Sequence, residues 1–202
     1  CRWRRPWRGA PLRRRLRRGE AARRRGDRLR RRYGDAAVQH DQRTGDWCAG
    51  ICIQNPYFIP EPDAIDAFGE AVARGVDVRV MMPATSGSDN PMVQHAGHRN
   101  FEKLLRCGVR LFEYPSTLLH QKVMTIDGIW CAIGSTNFDD RSFETNDEIT
   151  LGFKDAATAK RLDDIFEKYA PHCQEIKLEA WRKRGWGHRL IDNVYYMFNE
   201  VL

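Results

Sequence analysis

From Trp47 onward the chain alternates short apolar runs with longer stretches of helical period. ICIQNPYFI is an apolar run closed by Pro60. EPDAIDAFGEAVARG follows it, with Pro62 in the first turn, Ile65, Phe68 and Val72 on one face, and Gly75 as a stop. VDVRVMMP alternates at Val76, Val78 and Val80, which predicts a second strand. A loop of small and turn-forming residues, ATSGSDNP, then leads into a helical stretch, MVQHAGHRNFEKLLRCG, ended by Gly108, and VRLFEY reads as a third strand. Strand, helix, strand, loop, helix, strand is the grammar of the α/β class: a layered domain with a mixed, largely parallel sheet flanked by helices.

The pattern changes after Pro115. LLHQKVMTI and IWCAIG are β-rich runs joined through Asp127-Gly128, a strong short-range hairpin signal. EITLGF reads as another strand, and DAATAKRLDDIFEKYA as an amphipathic helix with Leu162, Ile165, Phe166 and Tyr169 on one face. The tail from Ile176 to Leu202 mixes Trp181, Trp186, Tyr195, Tyr196 and Phe198 with Arg182, Lys183, Arg184 and Arg189. Two readings stay open for it: packing against the body, or a membrane-surface segment with aromatics at headgroup level.

A chain of 202 residues with 42% hydrophobic content can bury one core of domain size. Its formal charge of +7 would point to nucleic acid or an anionic membrane, but the distribution alters that inference. Residues 1–40 hold 16 Arg, no Lys and three acids, whereas residues 41–202 hold 18 Lys and Arg against 24 Asp and Glu. The body is acidic. The head has too few apolar residues to offset its ordering entropy, and it reads as a basic arm, a linker or a stretch translated in the wrong frame. The expected organisation is an Arg-rich segment over 1–46, a catalytic domain over 47–175 and an aromatic, basic helical tail over 176–202. The six cysteines form no Cys-x-x-Cys pair and are expected as free thiols. No stretch approaches the ~20 consecutive apolar residues of a spanning helix. His95 and His98, at i and i+3, are expected as surface or pocket histidines, not metal ligands.

The chemistry concentrates in HQKVMTIDGIWCAIGSTNFDDRSFETNDEITLGF. On a strand, His120 and Lys122 stand two apart and project from one face, so both can reach one phosphate. The loop after the next strand offers Ser135 and Asn137, a hydroxyl and an amide able to donate to phosphate oxygens. Each residue alone has an ordinary structural use. The set is far more specific: His-x-Lys-x4-Asp, then Gly-Ser-x-Asn, Arg141-Ser142 and Asn146-x-Glu148 within residues 120–148.

These motifs resemble the catalytic signature of the phospholipase D superfamily. With IQNPYFIPEPDAIDAF, TSGSDNPMVQHAGHRNFEKLL and the Trp-rich tail, the chain is similar to the C-terminal half of bacterial cardiolipin synthases from about Ile51 to Leu202. The resemblance implies a phospholipase D-like fold and phosphatidyl transfer between phosphatidylglycerol molecules through a phosphohistidine, without a cofactor. By motif position it implies catalytic roles for His120, Lys122 and Asp127, with Asp127 structural in effect, and phosphate binding by Lys122, Ser135 and Asn137. Glu148 would orient the imidazole from behind, and His120 would be either nucleophile or general acid.

The family site needs two such motifs, because one imidazole cannot both attack phosphorus and protonate the opposite leaving oxygen. One motif is present here. The implied partners are therefore the phospholipid, a membrane surface, and a missing N-terminal half or second copy of the chain, at the bacterial cytoplasmic membrane. The rival reading is a single-motif homodimeric endonuclease or phosphodiesterase of the same superfamily, or an inactive fragment. An acidic body suits a nucleic acid poorly.

Overall fold

The computed structural model describes residues 50–139 and 141–197. The Arg-rich segment lies outside them. Among the described residues seven strands form one sheet: β1 (Gly50–Gln54), β2 (Asp77–Pro83), β3 (Arg110–Tyr114), β4 (Val123–Ile126), β5 (Trp130–Gly134), β6 (Thr150–Lys154) and β7 (Gln174–Ile176), in the order β6-β5-β4-β1-β2-β3-β7. The helices are α1 (Pro62–Ala73), α2 (Pro91–Arg106), α3 (Ala156–Tyr169), α4 (Leu178–Arg182) and α5 (Trp186–Tyr196). The sheet is mixed and flanked by helices, as the sequence pattern indicates. Its parallel part is confined to β1, β2 and β3. Residues 123–154 instead run back and forth, through a tight turn between β4 and β5 and a longer loop between β5 and β6, and β7 pairs antiparallel to β3, so most pairings are antiparallel.

Helices cover both faces, which explains why the central strands are apolar at nearly every position. Ile51, Ile53, Val78, Val80 and Leu111 pack with Ile65, Phe68, Phe101 and Leu104 of α1 and α2. The alternate positions Cys52, Met81 and Phe112 point the other way, onto Leu119 and Phe166 of α3. Gly97 lets α2 press close to the loop after β1, since a Cβ there would stand 2.8 Å from the Phe58 carbonyl oxygen.

The pairing of Gln54 with Val123 places the entrance of β4 at the C-terminal end of β1. The loops following β1 and β2 gather at the same end. This is where open α/β sheets hold their ligands.

Candidate active site

His120 and Lys122 lie in the approach to β4, not inside a strand as their spacing suggests, because sheet pairing begins only at Val123. Their side chains nevertheless meet. Lys122 Nζ stands 3.2 Å from both ring nitrogens of His120 and donates to the His120 carbonyl oxygen, also at 3.2 Å. The His120 ring is exposed and meets the edge of Tyr57, with centroids 6.3 Å apart. Burial pulls the Lys122 pKa below the ordinary lysine value, against the opposing charges of Glu148, Asp89 and Asp139.

The loop after β5 is fastened to the loop after β1. Phe138 N donates to the Tyr57 carbonyl at 3.0 Å, Ile59 N to the Phe138 carbonyl at 2.8 Å, and Asn55 Nδ2 to the Thr136 carbonyl at 3.3 Å. This clamp fixes Asn137 between two anchored neighbours. Lys122 shares a pocket with Asn55, Thr136 and Phe138. The Asn137 Oδ1 atom is buried and, among the described residues, has no hydrogen-bond partner. A buried unsatisfied amide costs about 1–3 kcal/mol unless a ligand or a turn of the amide resolves it.

Ser135 and Glu148 meet each other. The β5–β6 ladder pairs Gly134 with Thr150, so the next residues along come alongside, and the Ser135 hydroxyl donates to Glu148 Oε2 while accepting from Ile149 N at 3.1 Å. Sequence reasoning puts Glu148 behind the imidazole and Ser135 on the phosphate. In the structure the two are partners, and among the described residues Glu148 forms no hydrogen bond with His120. Asp127 closes the β4–β5 turn with a positive φ of 54°. Its Oδ1 accepts from Gly50 N at 3.1 Å and its own N–H donates to the Gly50 carbonyl at 2.8 Å, tying the hairpin to the start of β1. Its carboxylate sits at the end of β4 away from His120.

Residues 49–170 match the family described as "Cardiolipin synthase, PLD-like domain". The chain belongs to that family. Among its curated relatives are the proteins named cardiolipin synthase A of Serratia proteamaculans, 33% identical over 152 residues, and of Proteus mirabilis, 32% identical over the same length. Each alignment covers 75% of this chain and 31% of the relative, so the chain spans about a third of the length of the relatives it matches. Two solved structures share the fold. A phosphatidylserine synthase from Haemophilus influenzae superposes with a TM-score of 0.61 at 12% identity, over 83% of this chain and 41% of that one. NucT from Helicobacter pylori gives 0.55 at 18% identity, over 75% and 92%.

Sequence reasoning missed several parts of this cardiolipin-synthase-type domain. Tyr57 donates to Asp89 at 2.8 Å; its own burial, with Asp89 and Asp139 nearby, pushes its pKa up to about 12. His98 is buried, not on the surface, and His95 is half-buried beside it. Asp192 of α5 reaches them across the fold: its Oδ1 lies 2.9 Å from His95 Nδ1 and 3.5 Å from His98 Nδ1, and its Oδ2 accepts from Arg184 at 2.7 Å. His98 Nε2 meets Glu113 at 3.0 Å. The two imidazoles and Asp192 have the spacing of a metal ligand set. Arg184 on the same carboxylate already supplies the positive charge that a cation would bring, and the network acts as a clamp between α2 and α5.

Proposed function

We propose that this domain is one half of a phosphatidyltransferase that moves a phosphatidyl group from one phosphatidylglycerol to a hydroxyl of another and releases glycerol. The supporting observation is the contact of His120 with Lys122, which lines a pocket with Thr136 and Phe138, the two neighbours of Asn137, in a chain of the cardiolipin synthase family. In the first step a ring nitrogen forms a bond to phosphorus as the bond to the glycerol oxygen breaks, and that oxygen takes a proton from a second histidine. In the second step an acceptor hydroxyl loses its proton to that histidine, and its oxygen bonds to phosphorus as the phosphorus–nitrogen bond to the first histidine breaks. His120 fits either role. Lys122 and Asn137 hold the non-bridging oxygens, which places positive charge where negative charge develops and leaves no step that requires a metal. Asp89, Asp139 and Glu148 favour the charged form of Lys122 against its burial, and Ser135 holds Glu148 in place.

These three carboxylates offset part of the Lys122 charge, so a lone half-site should hold a phosphate anion only weakly. A second motif, with its own histidine and lysine, would offset them. Ile133, Ile149 and Leu151 are exposed on β5, β6 and the end of the loop between them, beside Ser135 and Glu148, and offer an apolar surface for that second half.

The test is turnover of labelled phosphatidylglycerol in EDTA across a series of chain concentrations, with sedimentation alongside. Activity should rise with self-association and fall by about three orders of magnitude or more in His120→Ala. Equal turnover by His120→Ala, or concentration-independent turnover by a monomer, would refute it. Cleavage of DNA in place of lipid would favour the homodimeric nuclease.

A further inference from the structure

α5 is an amphipathic helix worn inside out. Its acidic residue, Asp192, is 2% exposed and clamped to α2, whereas Trp186, Leu190, Val194 and Met197 stand 81%, 55%, 43% and 80% exposed. The spacing i, i+4, i+8, i+11 puts these four on one stripe. Rotation of the helix is fixed from the inner side. Asp192 bonds His95 and Arg184, the Tyr195 ring stacks on His95 at 5.6 Å, and Arg99 lies over Tyr196 at 5.7 Å. The apolar stripe cannot turn inward without breaking all of these.

Resting on the phosphatidyltransferase reading, we propose that α5 is an in-plane anchor that lays this stripe into the surface of an anionic phospholipid bilayer. Charge favours that occupant. Residues 178–197 carry four Lys and Arg against two acids, whereas residues 50–177 carry 13 against 19, so the basic part of the described chain is the part that bears the stripe. Lys183, just ahead of the helix, is exposed. Trp186 at the helix start is the residue type that settles at headgroup level. The placement also serves the site. Tyr195 and Tyr196 pack in one cluster with Tyr57, whose ring meets His120, so a helix lying among headgroups sets His120 near them. The apolar patch of Ile133, Ile149 and Leu151 lies on the opposite side of the sheet order, leaving the second half a separate surface.

The experiment is flotation of the full chain with vesicles of phosphatidylcholine and phosphatidylglycerol in about 0.5 M NaCl, where charge attraction by the Arg-rich sequence is screened. The wild-type chain should float. Leu190→Gln/Val194→Gln should lower the bound fraction at least about tenfold with unchanged circular dichroism and melting temperature, since both positions are exposed. Acyl-brominated lipid should quench a fluorescence component that is missing in Trp186→Phe. Flotation of the double variant equal to wild type, or no quenching of that component, would overturn the anchor. So would lipid-free self-association abolished by the same double substitution, which would assign the stripe to a second copy. His120→Ala should float like wild type. Binding without any phosphatidyl turnover would therefore sink the functional reading alone, and turnover with unimpaired flotation of the double variant would sink the anchor alone.

Discussion

Asp192→Ala should release α5 from the body of the domain. The carboxylate accepts from Arg184 and contacts both His95 and His98 while almost wholly buried. Breaking a buried ion pair costs about 3–5 kcal/mol when the partner charge is left stranded. Here the stranding is partial: His98 keeps Glu113, and the side chains of His95 and Arg184 are each 21% exposed and can hydrate. About 2–3 kcal/mol is therefore expected. Because α5 packs mainly on α2, the loss should appear as local undocking. Amide exchange of residues 186–197 should accelerate about 30- to 150-fold, while β1 and β2 keep their protection. Exchange in α5 within about threefold of wild type would refute the clamp. The pH dependence has a definite sign. Burial disfavours a charged His98, but Asp192 and Glu113 outweigh it and hold its pKa above the ordinary value, so its contribution is full below about pH 6.5 and is lost as pH rises through the raised pKa. Burial works the other way on Asp192, yet His98, His95 and Arg184 leave its pKa depressed, so its contribution is present above the usual carboxylate range and is lost as pH falls through the depressed pKa. Docking of α5 should be tightest between those limits, and Asp192→Ala should flatten the profile.

Asp127→Ala should lower stability by about 1–2 kcal/mol in urea, because it removes the bond to Gly50 and strains a positive φ, whereas Asp127→Gly should recover part of the loss; equal stability of the Ala variant would contradict this. Gly97→Ala should cost about 1–3 kcal/mol through the approach to the Phe58 carbonyl, read from the urea midpoint, and an unchanged midpoint would show that the loop yields freely. Burial pushes the Cys52 thiol up to about 11, against the pull of Arg79, so iodoacetamide at pH 8 should label it far more slowly than a cysteine peptide. Labelling at the peptide rate would contradict its burial.

Much of the layered fold was legible because local signals agreed with it. Gly75 and Gly108, expected as helix stops, both adopt positive φ, and Pro62 opens α1 as its position suggests. The unforeseen parts depend on distant partners. β7 has three residues, too short for a period to register, and exists through its pairing with β3. The balance of antiparallel pairing follows from how β4 joins β1, which no alternation encodes. At the candidate site the motif brought His120 and Lys122 together, but strand spacing misplaced them by a few residues because the edge of pairing is not written in residue type. Asn55, Tyr57 and Asp192 went unnoticed since each acts across a long separation in sequence. Ser135 and Glu148 became partners through ladder register, which an incremental reading of the motif does not supply.

The most direct test of the central claim, that His120, Lys122 and Asn137 converge on one phosphate, is a titration of the nitrogen-15 histidine-labelled chain with inorganic phosphate, following the ring resonances by NMR. The account predicts a saturable shift of the His120 ring that is absent in His120→Ala and weakened at least about tenfold in affinity by Lys122→Met and by Asn137→Ala. A His120 resonance that phosphate leaves unmoved, or that titrates equally well in both binding-site variants, would contradict it.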